Sequence, residues 1–340
     1  IYVVNEDNDT VTALNATTPF SKLWETPVAE QPRTIAVAPN GNLWVASERG
    51  DAITVLSASG NLVSTINLDR GSQPYGVVFS PDGNAAFVSL QATGELLKLD
   101  AITRQEIGRV TVGHSARAIA IDANSSSAYV TRFLSPQSQA EVIEVNVGNL
   151  SVADTIVLAK DTTTVDGPDR ARGIPNYLSG IAIAPDGNNA WVAANKANVD
   201  RGPFLENDAN QRLTFETTIR ALTTQINLNS ATEIVSKRLD IDNRAQPKAI
   251  EFSSLGDYVY VALEGQNSVE IRDAYTNNRA GELANTGLAP RGLVKVGDHL
   301  FVHNFMSRSV SVFDISAFEN GTGSASQLAS IDTVATESLH

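Results

Sequence analysis

The stretch "PYGVVFSPDGNAAFVSLQATGELLKLDAITRQEIGRVTVG", residues 74–113, holds four short strand-like runs. "PYGVVF" and "AAFVSL" are separated by Ser-Pro-Asp-Gly-Asn, and Asp-Gly supplies the positive φ that a tight turn between two strands needs. "ELLKLD" and "EIGRVTV" follow. The runs alternate with period two, with none of the three-to-four spacing of an amphipathic helix.

Working outward, the same unit recurs. Its most constant element is an aromatic residue followed by Val, at Tyr2, Trp44, Phe87, Tyr129, Trp191, Tyr260 and Phe301, with spacings of 42, 43, 42, 62, 69 and 41. Six of the seven follow an alternating strand that ends in a turn, as in "RTIAVAPNGN" and "SGIAIAPDGN". A third strand comes after each ("AITVLS", "EVIEVN", "SVSVFD"), blurred in the fifth unit within "TIRALTTQINL", and a fourth closes the unit. Four short strands every forty-odd residues predict an all-β fold, a seven-bladed β-propeller of four-stranded antiparallel blades in one domain, 1–340. The blades fall at about 1–30, 31–71, 72–112, 113–159, 176–243, 244–285 and 286–336. Insertion 160–178 separates blades four and five, and insertion 196–217 lies within blade five. The aromatic is expected to pack between sheets. The first blade starts at its second strand, so its innermost strand has to come from beyond the last blade or from residues outside the sequence.

These repeats resemble the YVTN-repeat β-propellers over practically the whole chain. A narrower likeness sits in "RGIPNYLSGIAIAPDGNNAWVAANKANVDRG", "LTFETTIRAL" and "LFVHNFMSRSVSVFDIS…VATESL". These resemble the propeller portion of bacterial proteins fused to a di-haem cytochrome c peroxidase-like domain. The resemblance implies a peroxidase-type domain as partner, and the cysteine-free, Asn/Ser/Thr-rich, acidic composition suits a bacterial periplasmic or cell-surface location. Haem belongs to that other domain, whose CxxCH motifs these 340 residues lack, so peroxidase chemistry does not carry over.

Composition narrows the classes. There is no Cys, which removes disulfides, cysteine zinc sites, haem c attachment and thiol catalysis within the chain. A net charge of −13 argues against nucleic-acid binding. No apolar run is long enough to cross a membrane as a helix. The sequence opens on "IYVVNEDNDT" without a signal-peptide pattern, so the expectation is either a protein that is not secreted or one whose signal peptide is already gone. Ser-His-Asp spacing, P-loops and dinucleotide fingerprints are absent.

The irregular lengths gather on one face. "TRFLSPQSQAEV", "LAKDTTTVDGPDRARGIPNYLSG" and "NKANVDRGPFLENDANQRLTFETT" all fall where the chain enters a first strand or leaves a second, the face opposite the Asp-Gly turns. Clustered insertions in a repeat protein mark a binding face. Aligned first strands put Arg33, Tyr75, Arg117, Ser179, Lys248 and Arg291 at one position at the channel mouth on that face. Four of the six are basic, a funnel that attracts anions. Arg49, Arg132 and Lys196 follow second strands there, and Arg170, Arg172, Tyr177, Arg201 and Arg212 come from the insertions. The bland counterpart is ion pairing with Glu48, Asp51, Asp169, Asp200, Glu206 and Glu264.

Metal signals are slight. His299 and His303 are four apart on a strand, about 13 Å, too far to share an ion; His303 reads as an inner histidine. "NEDND" and the trio Asp161, Asp166 and Asp169 have the hard oxygens that suit Ca²⁺, and read first as solvated loops. The expectation is therefore a non-enzymatic binding scaffold presenting Arg33, Tyr75, Arg117, Arg170, Arg172, Tyr177, Arg201, Lys248 and Arg291 to a protein partner, a haem-peroxidase-type domain or a small anionic ligand, with no cofactor of its own. The alternative is a lactonase-like hydrolase with a channel-mouth site, with or without a divalent metal, for which Glu48 or Glu264 would supply the acid.

Overall fold

The computed structural model describes residues 1–136, 138–167, 170–200, 215–241 and 244–335. Period-two patterning yields seven antiparallel sheets that follow one another along the chain. Six start with an inner strand: Pro32–Val37, Pro74–Phe79, Ala116–Ile121, Ile174–Ile183, Pro247–Phe252 and Pro290–Val296. Each inner strand pairs with the aromatic-Val strand, then the sheet grows outward to its rim. Inner strands of consecutive sheets touch in chain order, so the sheets stand as seven blades around one axis.

Seven hydrophobic clusters fill the seven gaps between blades. Trp44, Ile53 and Val55 of blade two pack on Val77, Val88 and Leu97 of blade three. Phe87, Tyr129, Trp191, Tyr260 and Phe301 fill the corresponding gaps further round. The aromatics are therefore the sheet-on-sheet packing that the repeat pattern predicts. They meet their neighbours edge to face, as with Trp44 and Phe79, whose centroids are 5.3 Å apart at 79°. Each buried ring contributes about 2–3 kcal/mol by area removed from water.

Blade one has three strands: Tyr2–Asn5, Thr10–Leu14 and Lys22–Pro27. The last strand of blade seven, Ser326–Asp332, pairs with Ser309–Asp314. No strand among the described residues takes the innermost place of blade one. Blades seven and one close instead through Phe301, Val310 and Val312 against Val3 and Leu14, with Phe20 edge-on to Phe301 at 6.0 Å. The Thr12 hydroxyl donates to the Thr333 carbonyl across the same seam.

Blade five departs from the repeat. Its third strand is Ile219–Asn227, inside the blurred segment, and its outer strand is split into Thr232–Glu233 and Leu239–Ile241. Its inner strand begins at Ile174, so residues 174–178 of the expected insertion are strand. The remaining loop is pinched at its base by an Asp161–Gly173 bridge. Residues 201–214, most of the second insertion, lie outside the described residues.

Candidate binding site at the channel mouth

The mouth is built by one repeated backbone device. Two residues before each mouth position the chain takes a left-handed conformation: Gln31, Gln73, Ser115, Tyr177, Gln246 and Ala289 have φ between 52° and 62° (57°, 52°, 62°, 52°, 54° and 57° respectively). None is glycine, so each carries backbone strain. The register of the inner strand against its neighbour slips just after this point in all six blades. Such a bulge re-aims a side chain, and here the next-but-one residue is Arg33, Tyr75, Arg117, Ser179, Lys248 or Arg291. Gly76 lets the following blade come close, because a Cβ there would sit 2.4 Å from the Arg117 carbonyl oxygen.

The basic ring is salt-bridged. Arg33 Nη1 lies 2.6 Å from Glu6 Oε2, and its Nε donates to Glu48. Arg291 Nη1 reaches the same Glu6 oxygen at 3.0 Å, and its Nε reaches Glu264 Oε1 at 2.6 Å. Lys248 Nζ is 3.1 Å from Glu264 Oε2. Burial opposes the Arg33 charge; Glu6 and Glu48 outweigh it, so its pKa rises. Ser179 turns its hydroxyl to the Pro247 carbonyl, 2.5 Å away. Of the two readings of the ring, open funnel or ion pairing, Arg33, Lys248 and Arg291 show the second, in a network running from blade six through seven and one to blade two.

Arg117 is the exception. Among the described residues it has no carboxylate partner; its Nε donates to the Gln91 amide oxygen. Its guanidinium lies between two rings, 3.4 Å from the Phe133 centroid and 4.6 Å from that of Tyr75. Burial lowers its pKa from the ordinary arginine value, although an arginine in this range stays charged. The stack continues outward, with the Tyr177 ring 5.2 Å from Phe133. Four cations, Arg33, Arg117, Lys248 and Arg291, meet three carboxylates, Glu6, Glu48 and Glu264, which leaves one positive charge in the mouth of an acidic protein.

The insertion residues divide. Tyr177 reaches the mouth through Phe133, and Asn176 Oδ1 accepts from the Ser135 backbone, tying the blade-four and blade-five loops together. Arg172 turns back on its own loop, with Nε 3.4 Å from Asp166. Arg170 is exposed. Arg201, Arg212, Asp169 and Glu206 lie outside the described residues. Lys196 is buried between Asp161, at 3.2 Å, and Asp240, at 2.7 Å. Arg132 pairs with Glu141, and Lys160 with Asp200 at 2.6 Å. Asp51 accepts backbone amides of Gly71 and Gln73 and so holds a turn.

Of the Ca²⁺ candidates, Asp169 lies outside the described residues, and the other two have partners of their own. Asp161 is taken up by Lys196, Thr163 and Thr164, and Asp166 by Arg172 and Asn198. Among the described residues no group of three or more acidic or histidine side chains stands close enough to hold a metal. Burial and Arg291 push the His303 pKa down to about 4, so it is a neutral histidine at physiological pH.

Asp240 has no part in the sequence reading, and Glu6 enters it only within "NEDND" as a calcium candidate, not as an ion-pair partner of the ring. Glu6 carried a signal: it stands four residues after its aromatic, as Glu48 and Glu264 do. Asp240 carried none, because the split outer strand that places it is particular to blade five.

Fold and site together define a seven-bladed β-propeller with an ion-paired channel mouth on the face where its long loops gather. No protein-family model and no curated protein sequence matches the chain. Solved structures do. A chain of Kuenenia stuttgartiensis hydrazine synthase superposes with a TM-score of 0.77 at 17% identity, covering 92% of this chain and 91% of that one. A functionally unknown protein from Desulfotomaculum acetoxidans gives 0.62 at 16% identity, covering 96% and 94%. A catalytically inactive virginiamycin B lyase from Staphylococcus aureus, solved with quinupristin, gives 0.63 at 12% identity, covering 88% and 86%. At such identities the likeness is one of fold. Among the described residues no helix is long and apolar enough to cross a membrane.

Proposed function

We propose that the protein is a non-enzymatic binding propeller whose channel mouth receives an anionic group, presented by a protein partner or by a small carboxylate ligand. The carrying observation is Arg117, a charged side chain without a carboxylate partner among the described residues, held in place by Tyr75 and Phe133. Stacking fixes the guanidinium plane and leaves its terminal nitrogens available as a fork for a carboxylate. Preorganisation of this kind lowers the entropy cost of binding. The Tyr177 ring and the blade-four and blade-five loops extend the same surface outward, which supports a partner larger than a single ion.

This reading is favoured over hydrolysis by the state of the acids. A general base at the mouth needs a carboxylate free to take a proton. Glu48 is held by Arg33 and Gln91, and Glu264 by Arg291 and Lys248. The periplasmic or cell-surface location remains part of the proposal on the ground of composition, and the peroxidase-type partner domain on the ground of the sequence resemblance.

Calorimetric titration with citrate is the test. One-to-one binding that weakens at least tenfold in Arg117→Gln, with circular dichroism unchanged, supports the proposal. Equal affinity in the variant, or no binding by either protein, overturns it.

A further inference from the structure

Blade six carries a carboxylate at an inner-strand position that is apolar in the other blades. Glu251 stands across from Tyr260 in its sheet. The residues across from the corresponding aromatics are Ala36, Val78, Ala120, Ala182 and Val294. Blade seven departs from the repeat one position further along. Lys295 stands where blades two to six have Val37, Phe79, Ile121, Ile183 and Phe252. Burying a charge at such a place costs free energy unless a partner compensates it.

Both charged residues line one cavity of about 370 Å³. It lies beside the turns of blades five, six and seven, on the face opposite the channel mouth. Ile183, Pro185 and Phe252 give it apolar walls. Its volume falls in the range of small-molecule sites, about 300–1,000 Å³.

The two charges do not satisfy each other. Lys295 Nζ donates to Ser254 Oγ at 2.7 Å and to the Gly297 carbonyl at 2.8 Å, and lies 3.3 Å from Glu319 Oε2. An ammonium has three donors, and these partners use them. Glu319 also accepts from the Tyr260 hydroxyl at 2.8 Å. Glu251 is partly buried and, among the described residues, makes no hydrogen bond and no ion pair through its carboxyl. Lys295 acts on it only at longer range. With Glu251 ionised, two carboxylates face one ammonium, which leaves the cavity one negative charge.

We propose that this cavity binds a small primary ammonium compound, with its charged end on Glu251 and a short apolar body against Ile183, Pro185 and Phe252. An ammonium supplies the donor and the charge that Glu251 lacks. An anion would be opposed by Glu251 and Glu319. A bare divalent cation needs several oxygen ligands, and among the described residues no three acidic or histidine side chains gather to hold one. The inference is independent of the anion reading at Arg117, since the site lies on the other face and takes the opposite charge.

The experiment is calorimetric titration of the intact 340-residue protein with n-butylammonium at pH 8, where the Glu251 carboxyl is mostly ionised. The expected result is one-to-one binding, at least tenfold weaker in Glu251→Gln and at least tenfold weaker for n-butanol, which has the same body without the charge. The carboxyl ¹³C resonance of Glu251 is expected to shift as the wild-type protein saturates, a readout that does not depend on the variant folding. Absence of binding at tens of millimolar butylammonium overturns the proposal. Equal affinity of Glu251→Gln, or an unmoved Glu251 resonance, does the same. So does equal binding of butanol, which would make the cavity a general apolar site, or equal competition by potassium, which would make the occupant a bare ion.

Discussion

The guanidinium carbon of Arg117 lies 3.4 Å from the centre of the Phe133 ring, with Tyr75 on its other side. Phe133 follows the second strand of blade four, and Arg117 heads the first, so one blade supplies both halves of the contact. Phe133→Ala is expected to cost about 1 kcal/mol of folding stability from the lost cation–π contact. The same variant is expected to weaken citrate binding severalfold, because an unstacked guanidinium is no longer oriented. Urea unfolding and calorimetry check the two effects separately.

Glu6 is the tie between the first and last parts of the chain, because Arg33 and Arg291 share its Oε2. Glu6→Gln leaves two partly buried cations facing each other. We expect a loss of about 2 kcal/mol, in the range for breaking a partly buried pair by removing one member. The same change adds one positive charge to the mouth, so anion binding is expected to strengthen and to become more salt-dependent. A stability loss without any gain in citrate affinity would separate the structural role from the electrostatic one.

Asp161 and Glu251 set opposite pH dependences. Burial works against the Asp161 charge, but Thr164 and Lys196 outweigh it and its pKa falls to about 2. A depressed carboxylate stabilises the fold above its unfolded pKa of about 3.9, and that contribution disappears as pH falls toward 2. Asp161→Asn is expected to lower stability by about 2 kcal/mol at pH 6 and to flatten the acid limb between pH 4 and 2.

Glu251 heads the other way. Burial pushes its carboxyl up to about 7, with Lys295 acting against the rise. Lys295 is engaged by Glu319 at 3.3 Å and Ser254 at 2.7 Å. The folded state then holds a proton that the unfolded state releases, so stability falls as pH rises from about 4 to about 7. Glu251→Gln removes that slope and is expected to stabilise the protein at pH 8, by about 3 kcal/mol at most. Thermal unfolding of both proteins across pH 4 to 8 provides the measurement.

The inter-blade aromatics carry the ring. Phe87→Ala empties the middle of the gap between blades three and four and is expected to cost about 3–5 kcal/mol. Trp24, tilted on Tyr2 at 5.9 Å and partly exposed at the edge of blade one, is expected to tolerate Leu with a loss nearer 1 kcal/mol. Denaturant midpoints distinguish the two.

The blades were legible because each repeat states its own period. Alternation around Phe87 or Trp44 sets which face is buried, and Asp-Gly at Asp82–Gly83 sets the turn, without reference to the rest of the chain. The mouth was legible only in part. Arg33, Arg117, Lys248 and Arg291 share one position in the repeat, but their state depends on acids from neighbouring blades. Glu6 meets Arg291 only because blade one returns to blade seven, a contact between residues 285 positions apart. The left-handed residues that aim the ring were hidden, since Gln31, Gln73, Ser115 and Tyr177 lack the glycine or asparagine that marks such a conformation. Tyr177 was read as a loop residue for that reason, and is a strand residue at a bulge.

The central claim is that Arg117 alone in the ring is open to an anion. The direct measurement is the set of arginine Nε–Hε resonances in a deuterated, arginine-labelled sample as citrate is added. A saturable one-to-one shift is expected at Arg117, with Arg33 and Arg291 held still by their carboxylates. An unmoved Arg117, or shifts no larger there than at the exposed Arg49 and Arg70, would contradict it.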